Sequence, residues 1–208
     1  MSATATTTVP ATTLVRPEPR RLPGIGTYAV LAVWAGALLA LIGAGVYEGG
    51  GNPPLALIAT VAGPVVGFAI AYRTSPRVRD FALALDPRLV LGAQLWRVVG
   101  VGFLFALALG ELDAEFAIPA GIGDILTGVA ALAVIISLSG GTLTRGRFYA
   151  FTALGVGDFL VAIMTGLTLR PVELDLWPLI IFPTMAVPFF GILHLIAVLQ
   201  ERNGRLQE

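Results

Sequence analysis

Gln94, Arg97, Asp124, Asp158 and His194 are polar side chains set in stretches built otherwise from Ala, Leu, Val, Ile, Phe and Gly. Together they are a cation, two carboxylates, an imidazole and an amide, the groups that pass protons or hold ions. An ionisable group inside a bilayer costs a few kcal/mol, so it turns toward protein or water and usually serves function. Gln94 precedes Arg97 by one turn and shares its face. The cheapest way to bury Arg97 and Asp158 is as a pair, because either charge alone is expensive. Metal chemistry has little to work with. Histidine occurs once and cysteine not at all, so no metal or other cofactor is expected.

The two aspartates have matching surroundings. Gly121-Ile122-Gly123-Asp124 is followed by Gly128 and Ala131, and Gly155-Val156-Gly157-Asp158 by Ala162 and Thr165. At helical periodicity the positions −3, +4 and +7 fall on the aspartate's own face. Each carboxylate therefore lies in a strip of small residues that lets membrane helices approach closely. Both should point into a bundle.

The elements that must carry these residues follow from composition. Of 208 residues 56% are hydrophobic and 12% charged, too few charges to coat a soluble domain. Apolar runs near 26–47, 54–73, 89–110, 117–138, 148–169 and 177–199 each have the ~20 residues that cross hydrocarbon. The expected fold class is all-α: an integral membrane bundle of six transmembrane helices over 24–200. Residues 1–23, rich in Thr, Ala and Pro, read as a disordered cytoplasmic tail, and 201–208 as a short one. A cleaved signal peptide is the competing reading of the N-terminus, but the run from Ile25 to Val46 exceeds its apolar region. Tyr28, Tyr47, Tyr72, Tyr149 and Trp177 fall at span ends, where amphipathic rings prefer the headgroup region.

Charge sets the orientation. Arg16, Arg20, Arg21, Arg73, Arg77, Arg79, Arg88, Arg145, Arg147, Arg202 and Arg205 fall on one side, and of the loop arginines only Arg170 falls on the other. Positive residues stay inside, so both termini are expected in the cytoplasm, in a bacterial cell membrane. The other face gathers Glu48, Glu111, Asp113, Glu115, Glu173 and Asp175, a solvated acidic rim. Phe81 to Leu85, in the longest loop, should lie at the interface, and Ala59, Gly63, Gly67 and Ala71 should form a packing seam on the second span.

Depth places Arg97 and Asp158 near the midplane. Asp124 falls roughly 10 Å below the outer face at ~1.5 Å per residue, and His194 in the inner third. Read from outside inward this is a chain of titratable groups, as a proton or ion path needs. Pro183 and Pro188 interrupt the last span, and their freed carbonyls must find protein or water.

Two resemblances bear on function. Glu115 to Asp124, with Trp96-Arg97 before it and the Pro-rich last span ending at His194, resembles a group of small bacterial multi-pass proteins; that resemblance implies a fold and no activity. Gly155-Val156-Gly157-Asp158-Phe159 resembles the GxGD motif of presenilin-type intramembrane aspartyl proteases. That resemblance implies Asp124 and Asp158 as a catalytic pair, although the Tyr-Asp and Pro-Ala-Leu motifs of those enzymes are absent. No phosphate loop, zinc constellation or dinucleotide fingerprint points to another enzyme, and nothing points to nucleic acid. Three functions stand: a bundle handling a proton, ion or small solute; a structural or accessory protein; an intramembrane hydrolase. The bilayer is the one certain partner, with a second copy or a membrane protein as the others.

Overall fold

A computed structural model describes residues 22–47, 55–168 and 180–206. Most of the N-terminal tail, Trp177, Arg170 and the acidic residues Glu48, Glu173 and Asp175 lie outside them. The elements in chain order are α1 (Ile25–Gly43), α2 (Leu55–Thr74), α3 (Pro76–Ala84), α4 (Pro87–Gly92), a 3₁₀ segment (Ala93–Gly100), α5 (Val101–Ala108), α6 (Ala114–Ser139), α7 (Arg145–Thr168), a π turn (Phe182–Ala186) and α8 (Val187–Arg202). Every element among the described residues is helical. α4, the 3₁₀ segment and α5 make one continuous span, as do the π turn and α8, so six spans are long and apolar enough to cross a bilayer. The protein is a multi-pass α-helical membrane protein.

α6 is the hub. It packs on the 3₁₀ segment, α7, α5 and α4, while α8 packs on α2, α4 and α7. Two apolar packs fill the bundle. One, at the arginine-rich end, joins Val90, Leu91, Val134, Phe148, Phe151, Leu193 and Ile196; the other, at the acidic end, joins Phe103, Ala106, Leu112, Ala117 and Ala120. Gly110 and Gly141 close the turns after α5 and α6 with φ of 76° and 66°, where a side chain would be strained. Glu111, Asp113 and Glu115 are exposed on the acidic end.

α1 and α2 are peripheral. In α1 only Leu38 is buried, and α2 has no buried residue. Among the described residues the small-residue seam expected on α2 is largely open: Ala59, Gly63 and Gly67 are exposed, and none of those residues lies within 4 Å of a Cβ placed on either glycine. Four-residue spacing defines a face without saying which neighbour meets it. Here α8 takes the other side of α2.

α3 covers most of the stretch Phe81 to Leu85 for which an interfacial segment is expected. Ala82 and Leu85 are buried and Phe81 is exposed. The end of α8 holds it in place. Gln200 Nε2 donates to the carbonyls of Ala82 and Leu85, both at 2.9 Å, and Arg205 Nε donates to Leu83 O at 3.3 Å. At the last turn of α8 and just beyond it, Glu201 and Leu206 are buried while Arg202 and Asn203 are exposed. Orphaning two buried carbonyls costs about 1–3 kcal/mol each. Gln200→Ala should therefore raise deuterium exchange across residues 81–90 and leave α6 protected; unchanged exchange there would remove the clamp.

Candidate functional site

Gln94, Arg97 and Gly100 are all buried and all belong to the 3₁₀ segment. With three residues per turn they stack in one line. In an α-helix residues 94 and 100 would diverge by about 120°, and one of them would face lipid. The local tightening thus aims the amide and the guanidinium at the same interior and leaves glycine where α6 comes closest.

Arg97 is the centre of the site at 2% exposure. Its Nε donates to Asp124 Oδ1 at 2.7 Å, its Nη2 to Asp158 Oδ2, and its Nη1 to the Gly155 carbonyl at 3.2 Å. The guanidinium also lies over the Phe159 ring, its Cζ 4.0 Å from the centroid, a cation–π contact. Three acceptors in three directions suit a planar fork and would not suit an ammonium.

The expected Arg97–Asp158 pair is therefore present, and Asp124 joins it. Depth counted along separate helices placed Asp124 nearer the acidic face. The structure brings it onto the same guanidinium because glycines let the helices close up. A Cβ on Gly123 would run into the Asp158 carboxylate, one on Gly100 into Asp124, and one on Gly155 into His194 Nε2. Each glycine is the slot for a polar side chain of the neighbouring helix. Gly121 and Gly128 meet Leu104 and Val98 instead, and Gly157 meets nothing.

His194 sits on the arginine-rich side of this triad, 2% exposed, between Phe151 and Phe159 with ring centroids at 5.2 and 6.3 Å. Neither ring nitrogen has a hydrogen-bond partner among the described residues. Gln94 donates through Nε2 to Phe190 O at 3.2 Å, and its Oε1 is likewise unpartnered among those residues, as is Thr152 Oγ1. All five expected site residues thus gather where the 3₁₀ segment, α6, α7 and α8 meet. Gly100, Thr152, the Gly155 carbonyl and Phe159 complete the surroundings.

Pro183 lies within the π turn and Pro188 near the start of α8. Thr184, fully buried, donates through its backbone N–H and through Oγ1 to the Ile180 carbonyl at 3.3 and 2.7 Å. Phe182, in the same turn, meets Phe103 at a tilt with ring centroids 4.7 Å apart, and Phe103 meets Phe116 edge-on at 5.7 Å. These rings belong to the apolar pack at the acidic end.

Charge counting gives the chemistry. One guanidinium faces two carboxylates, so with all three ionised the triad carries a surplus negative charge in low-dielectric surroundings. One bound proton or monovalent cation makes it neutral. No group of three or more His, Cys, Asp or Glu among the described residues could hold a metal ion.

No curated protein and no solved structure matches this chain. Residues 54–200 match a family recorded as a domain of unknown function, which takes in the five spans from α2 to α8 and with them every residue of the polar cluster; the chain belongs to that family, DUF8737.

Proposed function

We propose that the protein handles a proton, ion or small solute at an intramembrane site formed by Gln94, Arg97, Asp124, Asp158 and His194. The observation that carries this reading is the unequal charge of the triad, two carboxylates on Arg97 with no second cation bonded to them among the described residues. A purely structural ion pair needs one of each. The surplus acid makes a place for a transferable positive charge, and His194 and Gln94 offer polar atoms without a partner among the described residues on the arginine-rich side. The arginine distribution supports both ends facing the cytoplasm of a bacterial cell, so the acidic rim would face outward.

The test is flux in liposomes holding a pH-sensitive dye. Asp124→Asn leaves Asp158 to neutralise Arg97, so the fold should survive while pH-driven flux falls to that of empty vesicles. Unchanged flux in folded Asp124→Asn protein would sink the proposal. A structural or accessory role is the second reading, supported by the way Arg97 engages three partners on α6 and α7 and ties them together. It calls for a co-purifying partner and no flux. The aspartyl-protease reading draws less support. Such enzymes let two carboxylates share a proton over a water, whereas here a guanidinium donates to both.

A further inference from the structure

A groove of about 500 Å³ runs between the third span and α8, lined by Leu89, Gly92, Ala93, Trp96 and Phe189. Leu89, Gly92, Ala93 and Trp96 recur at intervals of three and four, so they form one stripe along the span. Gly92 and Ala93 make its floor low, and Trp96 stands beside it 73% exposed. This stripe lies opposite the triad: Trp96 and Arg97 are neighbours in sequence, yet one looks out and the other is buried. In a multi-pass protein the outward side of a span meets hydrocarbon.

The foot of the stripe is charged. Arg88 precedes Gly92 by four residues, on the same face, and is exposed where α4 begins. Arg73, Arg77 and Arg79 are exposed at the same end of the bundle, on α2 and α3. Asp86, two residues before Arg88, accepts from its backbone N–H at 2.9 Å. An apolar slot that opens sideways into lipid and ends on a cation at the water boundary matches one kind of molecule, a lipid with an acyl chain and a negative head.

We propose that this groove holds one acyl chain of an anionic phospholipid whose phosphate pairs with Arg88. A guanidinium grips phosphate through two parallel hydrogen bonds, which a zwitterionic head offers without the net charge. The site is independent of the triad and of what the triad carries.

Trp96 reports on it directly. Trp34→Phe and Trp177→Phe leave Trp96 as the sole tryptophan of the full chain. This protein would be reconstituted in phosphatidylcholine vesicles doped with either brominated-chain phosphatidylglycerol or brominated-chain phosphatidylcholine. The anionic lipid should be preferred at Trp96 by about fivefold, the ~1 kcal/mol that one arginine gains at an anionic surface. Arg88→Gln should bring the two lipids to parity and Arg147→Gln should not. High salt should weaken the preference in the protein with all its arginines, a test that does not depend on an arginine variant folding. Equal quenching by the two lipids, a preference that survives Arg88→Gln, or no quenching by either lipid would each overturn the site.

Discussion

Arg97→Ala is expected to cost about 3–5 kcal/mol of stability, more than any other single substitution in the bundle, because it leaves two buried carboxylates without a counter-charge. Asp124 and Asp158 side chains are 15% and 5% exposed, so water can rescue neither fully. Arg97→Lys should recover only part of the loss. An ammonium can reach one or two acceptors, and the flat contact with Phe159 goes with the guanidinium. Asp158→Asn alone should also destabilise, since that carboxylate is wedged against Gly123 and cannot turn to find another donor.

The combination tells more than either change. Arg97→Ala with Asp158→Asn should cost clearly less than the two losses added, with a coupling of the order of 1–3 kcal/mol. Adding Asp124→Asn, which removes the last formal charge, should recover more still. Thermal unfolding of purified protein in one detergent is a sufficient measurement. Strict additivity would show that the side chains do not act as a unit, and the triad would lose its energetic meaning.

The second large effect belongs to glycine. Gly123→Ala places a methyl group against the Asp158 carboxylate, and Gly155→Ala places one against His194 with Arg97 Nη1 at 3.0 Å. Neither neighbour can yield easily. Asp158 is tied to Arg97, and His194 is held between two phenyl rings. Overpacking of this kind costs about 1–3 kcal/mol, and here it also pulls an ion pair apart, so the loss should reach the upper end. Gly157→Ala is the internal control, because a Cβ there meets nothing within 4 Å. It should be neutral or slightly stabilising, as alanine is the better helix former. Equal losses at 155 and 157 would mean that the motif's glycines serve the helix and not the cluster.

That contrast also bears on the motif itself. In Gly155-Val156-Gly157-Asp158 only the first glycine is a contact, whereas in Gly121-Ile122-Gly123-Asp124 both are. Two segments that read alike are therefore used differently. The repeated pattern reflects two helices that must each approach a neighbour beside a carboxylate, and the neighbours differ.

The chain's own composition determined that lipid is its solvent and that helices cross it, because apolar runs of spanning length have no other way to satisfy their backbone. It determined too that Arg97, Asp124, Asp158 and His194 would turn inward, since a lone charge facing hydrocarbon is too costly to keep. Only the tertiary structure decided who meets whom. Residue counting along single helices separated Asp124 from Arg97, and nothing local announced the 3₁₀ tightening that lines up Gln94, Arg97 and Gly100. The seam on α2 looked like a packing face and looks outward. Gln200 gave no sign of its distant partners Ala82 and Leu85. Periodicity fixes a face and length fixes a span, but a contact between helices depends on tilt, depth and which neighbour arrives first. Those are properties of the whole bundle and are encoded in no single stretch of it.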